Sequence, residues 1–124
     1  AESVDVVIST WAVSTILDEK RRNKILSEIF KVLKKGGSIY LVENDLISEF
    51  EEMREKYKTG LTKKYNSWTF KKGFRTFKKI KTYFEFSLLK EAQEIFGSIW
   101  GEKVSNKIKN KKIEHAVVIF KKTK

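Results

Sequence analysis

Short apolar runs and one amphipathic stretch alternate over the first 45 residues. Val4 to Ile8 (VDVVI) and Ser38 to Val42 (SIYLV) are nearly continuous in apolar character, as is typical of strands covered on both faces in a parallel sheet. Between them, negative charge at Asp18 and Glu19 precedes apolar residues at helical spacing, which predicts a helix. The positions at this spacing are the charged Arg22 and the apolar Ile25, Leu26, Ile29, Phe30 and Leu33.

Two glycines separate the predicted helix from the second predicted strand. We expect Gly36 to stand just past the helix with positive φ, where it closes the last carbonyls without a Cβ penalty. Gly37 then gives the chain freedom to reverse into the strand. Such a strand, helix and strand form a crossover that is right-handed in nearly all cases, which implies a parallel sheet with helices on its faces.

The second half of the chain predicts further helices and strands. One helix is expected over Glu49 to Tyr57, with Phe50, Met53 and Tyr57 on one stripe. Alternation around Ile80 to Phe86 predicts a half-solvated strand. A further helix is expected to begin at the N-cap Ser87 and to close at Gly97.

The last predicted elements are a weaker strand over Ile99 to Ile108 and a strong one over Ala116 to Phe120 (AVVIF). The link Lys109 to Lys112 is short enough for a hairpin, so we expect these two strands to be antiparallel neighbours.

Positive charge is concentrated in the second half of the chain. The net charge is +11; residues 1–57 carry 9 basic and 11 acidic side chains, whereas residues 58–124 carry 18 and 5. Such a basic face suggests an anionic partner, nucleic acid first. Lysine-rich composition or a hot habitat is the alternative explanation.

The stretch Lys58 to Lys81 has 9 basic residues and no acidic ones, interleaved with aromatic rings. Its lysines could follow a phosphate backbone while Trp68 or Phe70 stacks on bases, so this stretch is the predicted nucleic-acid interface. The alternative is that the rings form core and the lysines face water.

Composition excludes several classes of protein and site. The 124 residues fit one domain, and no apolar run approaches the roughly 20 residues of a membrane span. Without a secretory signal, the chain is expected to be soluble and cytoplasmic. The absence of cysteine excludes disulfides and thiolate sites. His115 is the single histidine, so we expect it to be structural and expect no metal site.

Several segments together resemble the second half of class I S-adenosylmethionine-dependent methyltransferases. They are DVVIST, then ILSEIFKVLKKGG, then SIYLVEN and the final IEHAVVIFKK. The resemblance implies an α/β fold: a partial Rossmann-like sheet of parallel strands, with a closing antiparallel hairpin and flanking helices. It also implies S-adenosylmethionine as cofactor.

The resemblance covers most of the chain, with residues 44–86 fitting only as a family-variable insertion. The family's glycine-rich loop and the acid after its second strand have no counterpart in this sequence. We therefore expect residues 1–124 to be a single domain that represents the carboxyl-terminal half of such a fold. An inner strand, Val4 to Ile8, would then lack its neighbour, so we expect a homodimer or a companion chain paired there.

The resemblance also implies site residues at the carboxyl ends of the two parallel strands, where open sheets bind ligands. Ser9, Thr10 and Trp11 would line the cofactor, with Trp11 as a stacking surface; the alternative is that Trp11 packs the following helix. The family commonly places substrate contacts just past the second of these strands, which in this chain corresponds to Glu43, Asn44 and Asp45. Glu43 or Asp45 could orient or deprotonate an acceptor, and the alternative is that these acids are solvated or cap the next helix. The sequence does not identify a catalytic residue.

Three functions remain open from the sequence. The first is a methyltransferase that is expected to be inactive as this isolated stretch. The second is a non-catalytic basic α/β module that binds nucleic acid, and the third is an accessory subunit that completes a partner's methyltransferase. Salt dependence of nucleic-acid binding separates the second from the others. The methyl acceptor is unknown.

Overall fold

The computed structural model describes residues 2–58 and 60–124, with the side chains of residues 55–58 left aside. In chain order the elements are β1 (Val4–Thr10), a 3-10 turn (Val13–Thr15), α1 (Glu19–Val32), β2 (Leu33–Asn44), α2 (Glu49–Lys58), α3 (Leu61–Lys71), β3 (Arg75–Glu85), α4 (Leu89–Trp100), α5 (Glu102–Ser105) and β4 (Lys112–Thr123).

The strands form a mixed sheet in the order β1-β2-β4-β3, and this confirms the predicted α/β class. β1 and β2 are parallel, with Ser9 opposite Leu41 and Thr10 opposite Val42. β4 runs antiparallel to β2, since the Gly36 N–H donates to the Lys124 carbonyl and the Lys124 N–H donates to the Gly37 carbonyl. The predicted crossover from β1 through α1 to β2 is therefore present.

Contacts divide the chain into two compact units. The first comprises the described residues of Ala1–Glu43, Tyr65–Lys79 and Val118–Lys124, and the second those of Asn44–Lys64 and Ile80–Val117. The core of the first unit joins α1, β2, α3 and β4 through Val13, Leu26, Leu33, Ile39, Leu41, Tyr65, Trp68, Phe74, Val118 and Phe120. The core of the second contains Phe50, Met53, Ala92, Phe96, Val104, Ile108 and Ile113.

Helix α1 begins where the sequence predicts. The Asp18 side chain accepts the Lys20 N–H at 3.0 Å and caps the helix, which satisfies one of the free amides of the first turn. Helix α2 also matches its predicted range, although the side chain of Tyr57 lies outside the described residues.

The predicted role of Gly36 as a helix terminator is wrong. Helix α1 ends at Val32, and Leu33 already has extended backbone as the first residue of β2. Gly36 has φ +80 but lies inside β2. The register changes there, because Val4 is opposite Leu33 whereas Val6 is opposite Ser38. The positive φ therefore serves an irregularity in the strand, where the carbonyl of Lys124 takes the Gly36 amide.

The prediction that β1 is covered on both faces is also wrong. The side chains of Val6 and Ile8 are 49% and 65% exposed, while Val7, between them, packs against the core of the first unit. Because successive strand residues point to opposite faces, one face of β1 is covered and the other is open.

The strand expected over Ile99 to Ile108 is wrong, since Ile99 lies in α4 and residues 102–105 form α5. The hairpin at Lys109 to Lys112 is therefore wrong too. The antiparallel partner of β4 in the second unit is β3, where the Phe86 N–H donates to the Lys111 carbonyl. β3 also begins earlier than expected, at Arg75.

The predicted ends of α4 need correction as well. Its N-cap is Leu88 rather than Ser87, and Gly97 lies inside the helix. A Cβ at Gly97 would lie 3.1 Å from the Ser105 Cβ, so this glycine allows α5 to pack closely. The helix ends instead at Gly101, which has φ +93.

Candidate cofactor and acceptor site

Trp11 follows β1 directly and has an unusual backbone. Its φ is +48, the one positive value among the described non-glycine residues, and its N–H donates to the Val42 carbonyl at 3.0 Å. Its side chain is 40% exposed. A bulky residue in this conformation is uncommon and is held only where its surroundings fix it, which is frequent at ligand sites.

The other two residues that are predicted to line the cofactor, Ser9 and Thr10, point in opposite directions. Ser9 shares the covered face of the sheet with Leu41, and its Oγ is buried without a hydrogen-bond partner among the described residues. Thr10 is exposed on the open face. We call Ser9, Thr10 and Trp11 the lip. The Ser9 hydroxyl points to the covered face of the sheet, Thr10 points to the open face, and the Trp11 indole is half-exposed.

Glu43 lies two residues beyond Leu41 on the same face of β2 and is only 2% exposed. Burial raises the pKa of its carboxyl to about 7, against the opposing effect of the Ser14 and Tyr65 hydroxyls. Its Oε1 has no well-formed hydrogen bond to any described residue, so the hydroxyls only partly compensate for burial. Glu43 is therefore near its midpoint of ionisation at neutral pH.

Tyr65, in the first turns of α3, neighbours Glu43 in the folded chain and is not among the candidate site residues drawn from the sequence. It is 5% exposed, and its OH also lacks a well-formed hydrogen bond within the described residues. Burial, and then the neighbouring Glu43, raise the pKa of the phenol. Tyr65, Glu43 and Ser14 come from separate elements and meet only in the folded chain.

Arg22 links the segment before α1 to the aromatic rings of α3, next to Tyr65. Its Nη1 donates to the carbonyls of Ile16 at 2.6 Å and Leu17 at 3.2 Å. The guanidinium carbon lies 4.9 Å from the Trp68 ring centroid and 5.7 Å from that of Tyr65, a favourable cation–π geometry. This explains why an arginine occupies a position on the buried stripe of α1.

Trp68, one of the two rings proposed from the sequence to stack on bases, is 4% exposed. Its Nε1 donates to Asn23 Oδ1 at 3.0 Å. It is a core residue, as the alternative interpretation of the basic stretch requires. Phe70 is 46% exposed, whereas the side chain of Lys58 and residue 59 lie outside the described residues.

Asn44 and Asp45 belong to the second unit and have other contacts. Asn44 Oδ1 lies 2.7 Å from Nε2 of His115, whose ring stacks on Phe84 at 4.9 Å. Burial, followed by Arg54, lowers the pKa of His115. Oδ1 of Asp45 accepts the Leu46 N–H at 2.8 Å. Both side chains thus support local structure.

Residues 2–58 and 60–124 contain neither a candidate metal-binding cluster nor a candidate membrane-spanning helix. No cluster of three or more histidine or carboxylate side chains suited to a metal ion occurs there. None of the helices within those ranges has the length and apolar character needed to cross a membrane.

Comparison with known proteins supports the resemblance. Residues 1–41 match the model of a family described as a methyltransferase domain. A search of curated proteins finds no match.

Two methyltransferases are among the solved structures that share the fold. A candidate methyltransferase from Bacillus halodurans C-125 is 14% identical with a TM-score of 0.56, and the alignment covers 97% of this chain and 69% of that one. An S-adenosylmethionine-dependent methyltransferase from Methanosarcina mazei is 18% identical with a TM-score of 0.50, covering 98% and 60%. The chain thus has the fold of S-adenosylmethionine-dependent methyltransferases and spans only about two thirds of their length.

Proposed function

We propose that this chain forms part of an S-adenosylmethionine-dependent methyltransferase and carries one wall of its cofactor and acceptor site. The observation that supports this most is the grouping of Ser9, Trp11 and Glu43 at the carboxyl ends of two adjacent parallel strands. Open α/β sheets bind ligands at that edge. Within the described residues, Ser9 Oγ and Glu43 Oε1 are buried there without a well-formed hydrogen bond, as expected where ligand or water completes the hydrogen bonding.

The residues of the lip fit such a cofactor. The exposed indole of Trp11 offers a stacking surface for an adenine ring, and the buried Ser9 hydroxyl can donate or accept one hydrogen bond. When bound, the cofactor supplies a methyl group on a sulfonium centre. The protein's task is then to align the acceptor and to take a proton where the acceptor carries one.

Glu43 is the residue that we propose for the proton. A carboxyl with a pKa of about 7 is matched to general-base catalysis at neutral pH. Tyr65 and Ser14 would hold the carboxyl in place as positioning residues. Asn44 and Asp45 remain proposed substrate contacts, through backbone or rearranged side chains.

The Trp11 proposal is tested by calorimetric titration of S-adenosylhomocysteine into the polypeptide encoded by the complete reading frame. Trp11→Ala is expected to weaken binding at least about tenfold, because base–aromatic stacking contributes about 1–3 kcal/mol. Phe70→Ala, which removes a similarly exposed ring from α3, is the matched control and should leave the affinity unchanged. Equal affinities for wild type and Trp11→Ala would contradict the proposed lip.

We also propose that β1 pairs with a second strand along Val4 to Ile8, in a homodimer or with a companion chain. It is one of the two edge strands of the described sheet, and the exposure of Val6 and Ile8 adds apolar surface to its unpaired backbone groups. Light scattering of the 124-residue chain at micromolar concentration is expected to give at least a dimer mass.

Ile8→Lys is expected to shift that mass to the monomer, because a charge on the edge opposes pairing. Ile47→Lys is the control, since Ile47 is 80% exposed but lies in a loop. A wild-type chain that stays monomeric would argue against the pairing.

A further inference from the structure

Arg22 is a buried cation in the first unit. Only 8% of the residue is exposed, and its Nε has no hydrogen-bond partner among the described residues. Taking a guanidinium out of water is costly, and an apolar side chain would fill this position on the packed face of α1 at a lower cost. The contacts of the guanidinium therefore indicate what the residue does.

The guanidinium holds the segment that carries Ser14. This serine lies in the 3-10 turn Val13–Thr15, and residues 16–18, between that turn and α1, have no regular structure. Nη1 of Arg22 donates to the carbonyls of Ile16 and Leu17, at 2.6 and 3.2 Å. Hydrogen bonds from a charged donor are stronger than neutral ones, so they tie the Ser14 segment to α1.

The same guanidinium lies against α3. Its carbon is 5.7 Å from the ring centroid of Tyr65 and 4.9 Å from that of Trp68, and these two rings pack at 5.4 Å. The attraction between a cation and an aromatic ring is strongest where water is excluded. Arg22 thus contacts both of the elements that bring a hydroxyl to Glu43.

Those two hydroxyls oppose the effect of burial on the Glu43 carboxyl. Burial raises its pKa to about 7, and the hydroxyls of Ser14 and Tyr65 act in the lowering direction. The ionisable groups that act on Glu43 and Tyr65 are these two residues and Arg22. Because the hydroxyls come from separate elements, both can face one carboxyl only if the turn and α3 are fixed relative to each other.

We propose that Arg22 is a positioning residue for Glu43, which holds the Ser14 turn against α3 and so keeps two hydroxyl donors at the carboxyl. Every contact that it uses lies inside the first unit. Without the guanidinium the donors move away, and a carboxylate with fewer donors takes up a proton more readily. The inference rests on the proposed function, since only a Glu43 that acts as the base makes this proton affinity a catalytic property.

The test is an NMR titration of the glutamate side-chain carboxyl carbons in the polypeptide encoded by the complete reading frame, with isotope-labelled glutamate and without cofactor. Glu43→Gln identifies the Glu43 resonance by its loss. Arg22→Met keeps an unbranched apolar side chain and removes the guanidinium. It is expected to raise the pKa of Glu43 from about 7 to about 8, because a hydrogen bond to a charged group corresponds to about one pKa unit or more.

Arg21→Met is the matched control. It removes the same charge from the neighbouring, exposed position of α1 and should leave the pKa of Glu43 unchanged. Arg22→Lys keeps the positive charge but lacks the planar fork that reaches two carbonyls and the rings, so it is also expected to raise the pKa. Circular dichroism reports whether each variant is folded, and Arg22→Lys decides the question if Arg22→Met does not fold.

A double-mutant cycle tests whether Arg22 acts through the two hydroxyls. Ser14→Ala combined with Tyr65→Phe removes both donors and should by itself raise the pKa of Glu43. Adding Arg22→Met to this background should then change the pKa little, because the groups through which Arg22 acts are gone.

Three results would overturn the proposal. The first is an unchanged pKa of Glu43 in the Arg22 variants. The second is a fall toward the ordinary value of 4.5, which would mean that Arg22 only shields the carboxyl from water. The third is a rise that is absent in Arg22→Lys or persists without the two hydroxyls, which would mean that charge alone acts. Failure of the cofactor titration would leave this measurement untouched, so the two proposals fail separately.

Discussion

Replacing Glu43 by glutamine is expected to stabilise the chain at about pH 8 by roughly 3 kcal/mol. Folding moves the pKa of this carboxyl from 4.5 to about 7, and each pKa unit corresponds to about 1.4 kcal/mol. Glutamine has nearly the same shape and stays neutral, so the cost of burying a charge disappears. The free energy of unfolding from urea titrations measures the gain.

The sign of the pH dependence follows from the raised pKa. The fold favours the protonated form of Glu43. The contribution of this residue to the free energy of unfolding is therefore complete below about pH 4.5, is lost as the pH rises to about 7, and changes little above that pH. The free energy of unfolding of Glu43→Gln should therefore rise above that of the wild type over that pH interval. Glu28→Gln, which alters an exposed acid paired with Lys31 at 2.7 Å, should show no such gain. A parallel pH profile for wild type and Glu43→Gln would show that Glu43 is not buried as described.

Gly37→Ala is expected to destabilise the chain by about 3 kcal/mol, the upper end of the usual cost of overpacking. A Cβ at Gly37 would lie 2.8 Å from the Asp5 carbonyl oxygen and 2.9 Å from that of Lys34. Both atoms are backbone, so relief requires β1 to move away from β2 and β2 to change its own backbone around Lys34, and overpacking of that kind is costly. Thermal and urea unfolding of the variant measure the loss.

Gly36→Ala is the matched control one residue earlier. A Cβ there meets nothing within 4 Å, and the cost comes only from φ +80, which amounts to about 1–2 kcal/mol. Gly37→Ala should therefore be clearly the worse of the two. The reverse order would mean that backbone conformation, rather than the close approach of β1, accounts for this pair of glycines.

Local signals predicted α1 and the parallel pairing of β1 with β2. Asp18 caps its own helix, and the helical spacing that follows lies within a few turns, so both features can be read from neighbouring residues. The crossover rule then fixes the relative direction of β1 and β2.

Distant contacts explain the failures. Gly36 was expected at a helix end because Leu33 continues the apolar spacing of α1, yet Leu33 is buried as the start of β2. The strand includes Gly36 because the Gly36 N–H donates to the carbonyl of Lys124, which is 88 positions away. The residues next to Gly36 in the sequence give no sign of this contact. Gly97 similarly depends on Ser105, across the turn between α4 and α5.

The positions of the candidate site residues in the fold were predictable where they depend on strand ends. Ser9, Trp11 and Glu43 follow apolar runs, and the rule for open sheets places such residues at the ligand edge. Ser14 and Tyr65 could not be found that way, because only the folded arrangement brings their hydroxyls to the Glu43 carboxyl. The opposite faces of Ser9 and Thr10 follow from alternation along β1, once the covered face is known.

The most direct test of the cofactor site is a crystal structure of the polypeptide from the complete reading frame with S-adenosylhomocysteine. The adenosine is expected against Ser9 to Trp11 at the carboxyl end of β1, with its ring in contact with the Trp11 indole. A ligand bound elsewhere, with Trp11 turned into the protein and no ligand atom near β1, would contradict the account.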